Sequence, residues 1–233
     1  MNLKWLGHSA FELISDDGTN ILVDPFIQAN PACPLKVNDL KPDIVCITHG
    51  HADHYGDVIE LARNNPNLIV ISNYELSIHL QREGVNAIGI NCGASIKIKD
   101  VEIRMLGAMH TSSLDFDIDL PYGGTPGSFL ITFNDGLRIF HAGDTGLFSD
   151  MKFVIGDIYK PDIAILPIGN IFTMDIKEAA IATKWINPKI VIPMHYNSFP
   201  SIKQDPEEFK RKVNETAPEC ETLICEVLKK YEI

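Results

Sequence analysis

Two β-sheets with helices on their outer faces are the architecture that this sequence predicts. Three observations carry the prediction. The first half is rich in short apolar runs, turn residues separate those runs, and the last third alternates strand-like with helix-like segments. Strand-rich segments that merge into α/β alternation fit two packed sheets better than one doubly wound sheet. The 233 residues suit one domain spanning 1–233. With 45% hydrophobic and 22% charged residues, the chain has the composition of a soluble globular protein able to bury a sizeable core.

In chain order, Leu3–Leu6, Ala10–Ile14 and Asn20–Val23 read as strands, with Ser15-Asp16-Asp17-Gly18 turning between the last two. Residues 25–42 hold four prolines and read as an irregular connection. The apolar run 43–48 predicts a buried strand. A helix over 55–64, ended by Asn64-Asn65-Pro66, a strand Leu68–Ile71 and a helix over 73–83, stopped by Gly84, follow it. Runs at 86–90, 95–99 and 101–107 read as β. Residues 111–127 form a second irregular stretch, and a hairpin pairs Ser128–Phe133 with Leu137–His141 around Asn134-Asp135-Gly136. The last third predicts helices over 148–158, 175–185 and 206–214, interleaved with strands Ile163–Leu166, Ile190–Pro193 and Thr222–Cys225.

A formal net charge of −11 disfavours nucleic acid and anionic membrane surfaces as partners. It does not exclude a small anionic substrate, because bound metal ions dominate the field of their own cleft. The first residues lack the unbroken apolar core of a signal peptide, and no apolar run reaches transmembrane length. Five cysteines without CxxC spacing read as free thiols in a reducing, cytoplasmic setting. Self-association into a homo-oligomer stays open.

Four donor residues lie in the hexapeptide His49-Gly50-His51-Ala52-Asp53-His54, directly after a buried strand. Crowded imidazoles and carboxylates are costly to desolvate unless something satisfies them. Divalent metal ions do so, since neutral imidazole and carboxylate oxygen suit zinc and its first-row neighbours. Residues two apart in an extended segment point the same way, so His49 and His51 can grip one metal. Asp53 and His54 lie around the following turn and can face a second. More ligands are needed, and His110, Asp144 and His195 each end an apolar strand, a rigid support from which side chains converge on a cleft.

The ordered motifs Thr48-His-Gly-His-Ala-Asp-His54, His110, Gly143-Asp144-Thr145 and Pro193-Met194-His195 resemble those of the metallo-β-lactamase superfamily over nearly the whole chain. That resemblance implies an αββα sandwich, two mixed sheets with helices on the outer faces, and a dinuclear site at one edge. It implies His49, His51 and His110 on one metal, Asp53, His54 and His195 on the other, and Asp144 between them. Gly7-His8-Ser9-Ala10-Phe11, Val23-Asp24-Pro25-Phe26, Pro167–Met174 and His195–Pro200 resemble an uncharacterised subfamily of metal-dependent hydrolases similar to ascorbate-6-phosphate lactonases.

Hydrolysis is the reaction this implies. Two metals roughly 3.5–4 Å apart would share a hydroxide that attacks a carbonyl or phosphoryl centre, and Asp53 or Asp144 would assist the proton transfer. Two divalent ions less Asp53, Asp144 and hydroxide leave one positive charge, which favours an anionic lactone, ester or phosphoester. Zinc or manganese suits the donor set best, with iron or nickel also compatible. His8, Asp24, Thr173, Tyr196 and Asn197 are expected to contact substrate or to orient ligands. His141 is expected to be structural and His79 a surface residue, while the Asp115, Asp117, Asp119 series reads as a solvated loop. Competing readings are a phosphodiesterase or nuclease of the same superfamily, a metal-binding oxidoreductase and a non-catalytic metal-binding protein. A flavodiiron enzyme fits poorly, since such relatives usually carry an acidic residue where this chain has His51. A true β-lactamase fits no better, as no cysteine stands at a matching position.

Overall fold

A computed structural model describes residues 1–114, 119 and 121–233, so Asp115 and Asp117 lie outside the described residues. The strands, in chain order, begin with β1 (Asn2–Gly7), β2 (Ala10–Ile14), β3 (Asn20–Val23), β4 (Ile44–Cys46), β5 (Ile69–Ser72), β6 (Ala87–Gly89) and β7 (Ser95–Ile98). They continue with β8 (Val101–Gly107), β9 (Gly127–Phe133), β10 (Arg138–His141), β11 (Ile163–Pro167), β12 (Ile190–Met194), β13 (Glu221–Thr222) and β14 (Lys230–Glu232). They form two seven-stranded sheets, ordered β14-β1-β2-β3-β4-β5-β6 and β13-β12-β11-β10-β9-β8-β7. This is the two-sheet sandwich that the sequence predicts.

Both sheets follow one plan. In the first, pairings from β14 to β3 are antiparallel and those from β3 to β6 parallel. In the second, pairings from β7 to β10 are antiparallel and those from β10 to β13 parallel. Strands β1, β3 and β4 therefore run the same way, as do β8, β10 and β12. His8, Asp24 and the 49–54 segment thus leave the first sheet at one end, and His110, Asp144 and His195 leave the second at one end.

The parallel strands are buried on both faces and read as continuous apolar runs. Along β4, Ile44 and Cys46 join a core that both sheets build with Leu3, Phe11, Phe129 and Phe140. Val45 and Ile47 point the other way, towards Leu61, Leu76 and Leu80 of the helices α2 (Val58–Asn64) and α3 (Tyr74–Arg82). Burying each such side chain contributes about 1.5–3 kcal/mol. The helices α4 (Ile176–Ile186) and α5 (Pro206–Thr216) pack with the second sheet through Ala179, Ala182, Phe209 and Val213. Asp175 starts α4 with a capping box, accepting from the Glu178 amide at 2.7 Å.

Four element boundaries differ from expectation. The helix expected over 55–64 begins earlier and is split into α1 (Ala52–Tyr55) and α2 by Gly56, whose φ is +49°. A Cβ there would lie 2.3 Å from the Pro25 carbonyl, so the ligand-bearing turn and the 25–42 connection touch backbone to backbone. The helix expected over 148–158 is a π-helix, Met151–Tyr159. It is entered through a turn from the Phe148 carbonyl to the Met151 amide and ended by left-handed Lys160. The strand expected over Thr222–Cys225 pairs only at Glu221–Thr222. The edge strand β14, too short to show a period, escaped the sequence reading. All five cysteines are free thiols.

Candidate metal centre

Strand ends and the first turn of α1 bring eight donor residues to one edge of the sandwich. Donor atoms of His49, His51 and His110 lie within 4.8 Å of one another, as do those of His8, Asp53, His54 and His195 and those of His49, His54 and Asp144. His49 Nε2 faces His51 Nδ1 at 3.0 Å, and the His110 ring stands 5.0 Å from His49 and 5.1 Å from His51. Asp144 sits where the groups meet. Its Oδ1 is 3.3 Å from His54 Nε2, and its Oδ2 is 3.0 Å from His195 Nε2 and 3.7 Å from His110 Nε2.

These side chains are held from behind. Asp24 Oδ1 accepts from the Thr48 amide, and its Oδ2 accepts from the Thr48 hydroxyl at 2.8 Å and from His54 Nδ1 at 2.7 Å. Fully buried, Asp24 thus fixes His54 so that Nε2 points into the centre. The Thr48 hydroxyl lies 3.0 Å from His49 Nδ1 and does the same for its neighbour. Thr48 and Ser112, whose hydroxyl receives the Gly50 amide, were missed in the sequence because a lone hydroxyl residue carries no pattern. His141 is structural, as expected. Its Nε2 donates to the Ser9 carbonyl, and its Nδ1 accepts the Gly143 amide that leads into Asp144.

The electrostatics suit a cation. Burial opposes ionisation of Asp144, but the facing His195 and His54 hold it well below the usual carboxylate range. Asp53 behaves likewise through His54 and His8. Burial alone would lower His54, yet Asp144, Asp24 and Asp53 outweigh it and raise the imidazole well above its ordinary value. Burial pushes His49 well down, so it stays neutral and able to ligate. Burial with the nearby His195 lowers His8 to about 4.

One observation tests whether the residues fit metal ions. His54 Nε2 and Asp144 Oδ1 are buried 3.3 Å apart, and neither has a geometrically formed hydrogen bond. Orphaned buried polar atoms are costly. A cation between these two atoms would satisfy both, and another would take up the two facing nitrogens of His49 and His51. The donor set therefore fits divalent metal.

The expected outer contacts divide. His8 and Asp24 lie at the centre. Tyr196 does not: it is buried and stacked on Trp5 at 5.4 Å in the core. Asn197 Oδ1 accepts the Gln204 amide in its own loop, and the Thr173 hydroxyl bonds to the Met174 carbonyl. Strand alternation fails beyond β12 because His195 and Asn197 have φ of +55° and +61°, which re-aims each side chain. Asp119 is exposed, and His79 is half-buried with its ring 6.0 Å from that of Tyr55. A cleft of about 360 Å³ opens on the centre, lined by His51, Asp53, His110, Thr111, Asp144, Phe172 and His195. Phe172, 56% exposed, was not singled out in the sequence.

Comparison with known proteins agrees with this geometry. The family model described as a beta-lactamase superfamily domain matches residues 2–195. A UPF0173 metal-dependent hydrolase of Methanobrevibacter smithii is 52% identical over 224 residues, covering 96% of this chain and 93% of the relative. One from Methanopyrus kandleri is 43% identical over 233 residues, with both chains fully covered. Among solved structures, the metallo hydrolase Igni18 of Ignicoccus hospitalis superposes with a TM-score of 0.88 at 38% identity, covering 100% of this chain and 98% of that one.

Proposed function

This chain belongs to the metallo-β-lactamase superfamily as a metal-dependent hydrolase, and we propose that it uses two divalent metal ions to hydrolyse a small substrate bearing an anionic lactone, ester or phosphoester group. The observation that carries this reading is the meeting of two donor clusters at one carboxylate, Asp144. His49, His51 and His110 would hold one ion, Asp53, His54 and His195 the other, and Asp144 both. Bound there, the ions would acidify water and polarise the scissile bond.

The chain's own residues supply the rest. Asp53, 30% exposed at its side chain and kept ionised, lines the cleft with Asp144, where either carboxylate would assist the proton transfer from the attacking water. Asp24 keeps His54 in the tautomer that turns Nε2 inward. Phe172 offers an apolar face to the remainder of the substrate. Among the described residues no lysine or arginine lines this cleft. Any anionic group must therefore be met by the ions, and a polyanion such as RNA would find no basic track, which disfavours the nuclease reading. Among the described residues no helix is long and apolar enough to cross a membrane.

Protein purified without added metal should carry two ions of zinc, manganese, iron or nickel per chain by elemental analysis. It should turn over at least one member of a lactone, carboxylic ester and phosphoester panel. A stoichiometry of one in metal-saturated protein would overturn the dinuclear assignment, and an inert panel across all four metals would overturn the substrate assignment.

A further inference from the structure

His8 is pinned more tightly than any role in packing requires. It is fully buried and adopts a left-handed backbone, φ +56°, a conformation that non-glycine residues reach only at a cost. Its carbonyl accepts from Trp5 Nε1 at 2.9 Å and from the His195 amide at 3.1 Å, tying the end of β1 to the end of β12. Its ring lies 4.1 Å from that of His195 and edge-on to Phe26 and Phe199. Both ring nitrogens are engaged, Nδ1 with Ser198 Oγ at 2.9 Å and Nε2 with Asp53 Oδ2 at 3.1 Å.

The partners decide the tautomer. Asp53 can only accept, so the hydrogen lies on Nε2 and Nδ1 accepts the Ser198 hydroxyl. The other acceptor for that hydroxyl, the Tyr196 carbonyl, is 3.5 Å away, at the limit of a hydrogen bond. One oxygen of Asp53 is thereby occupied from behind. The other, Oδ1, is left facing His54 Nε2 at 4.0 Å.

We propose that the Ser198–His8–Asp53 chain is a positioning device that restricts Asp53 to one free oxygen and so builds the second cation site from both sheets. Asp53 comes from the first sheet, while Ser198 and His195 follow β12 of the second. His8 is then no ligand, although its Nε2 lies near enough to be counted among the donors. The inference rests on the two-cation reading above and assigns a residue pair that the ligand set alone does not require.

Titration of metal-free protein with Zn²⁺ against a competing chelator tests it without reference to turnover. In His8→Ala the first cation should bind as in the parent and the second about 10–100-fold more weakly, the usual cost of losing a hydrogen bond behind a ligand. His8→Gln, whose amide reaches the place of Nε2, should restore most of the loss, and His8→Asn, whose amide reaches only the place of Nδ1, should not. Ser198→Ala should lose less than His8→Ala, and the double variant should bind no worse than His8→Ala alone. Should His8→Ala fail to fold, the Gln, Asn and Ser198 variants still decide. Equal weakening of both cations, rescue by Asn rather than Gln, additive losses, or an added imidazole ligand lost from the X-ray absorption of the Co²⁺ form in His8→Gln would each overturn it. A parent protein that binds one cation would instead sink the two-cation reading itself.

Discussion

The two sheets share one plan of pairings but supply the centre in opposite ways. Corresponding strands end in comparable positions: β1 and β8 in His8 and His110, β3 and β10 in Asp24 and Asp144. The first sheet adds four donors in one turn after β4, whereas the second supplies His110, Asp144 and His195 singly from three separate strand ends. Donors in one turn keep their neighbourhood through local bonds such as Asp24 to Thr48 and His54. Single donors on separate strands depend on bonds between segments distant in sequence, such as the Met109 amide to the Thr145 hydroxyl and the His195 amide to the His8 carbonyl. The first half should therefore tolerate the loss of one donor better than the second.

The largest effect should come from Asp144→Ala. Among the described residues, Asp144 alone pairs with His54, His110 and His195 together. Its removal should lower kcat by about 10²–10³-fold or more and leave less than two ions per chain on elemental analysis. His51→Ala, which leaves His49 and His110 in place, should lose less on both measures. Equal losses would erase the distinction between the halves. Next in size is Asp24→Asn, which retains the shape but offers one acceptor oxygen where Thr48 and His54 now use two. Affinity for the second Zn²⁺ should fall about 10–100-fold by chelator competition, while far-UV circular dichroism stays unchanged.

The same contrast explains what the sequence disclosed. The 49–54 donors were legible because spacing within a turn is a local property that needs no knowledge of sheet order. His110, Asp144 and His195 were legible only as strand ends, and their convergence follows from pairing directions that periodicity does not encode. Asp24 stood out beside Pro25, but its bond to His54 spans thirty residues of chain. Tyr196 and Asn197 were expected at the cleft because they follow His195 directly in the sequence. Left-handed backbone at His195 and Asn197 turns the chain there, which adjacency in sequence does not disclose. The helix boundaries at Gly56 and Met151 shifted for a similar reason, since contact with a distant backbone or an entry turn set them.

Where the halves meet behind the centre, Gly143 should be the most sensitive position for stability. Its φ is +60°, and a Cβ would stand 2.8 Å from the Gly127 carbonyl and 2.9 Å from Thr48 Cβ. Gly143→Ala combines left-handed strain with a clash against the segment that carries His49. It should cost about 1–3 kcal/mol by urea unfolding of the metal-free protein. A loss below that of an ordinary surface substitution would mean that the two sheets can separate there without consequence.

The smallest effect tests whether the halves unfold together. Asp43, which precedes β4, pairs with Lys99 of the β7–β8 turn at 2.5 Å and so joins the sheets at the end away from the metal centre. Asp162 pairs with Lys189 at 3.0 Å and accepts the Arg138 amide, all within the second half. Burial opposes ionisation of both, but the Asn20 amide and Lys99 for Asp43, and Lys189 and the Arg138 amide for Asp162, lower each carboxyl below its usual value. A carboxyl lowered in the folded state stabilises the protein above its unfolded pKa of about 3.9 and loses that effect as pH falls through the folded value. Because these pairs are partly exposed and screened, Asp43→Asn and Asp162→Asn should each cost no more than about 1 kcal/mol at pH 7. The difference from the parent should fade between about pH 5 and 3. If the sandwich unfolds as one unit, both variants shift the urea midpoint and keep the slope. A shallower slope confined to Asp43→Asn would show the sheets parting first, with the singly supplied donors of the second sheet lost from the centre before the turn after β4 unravels.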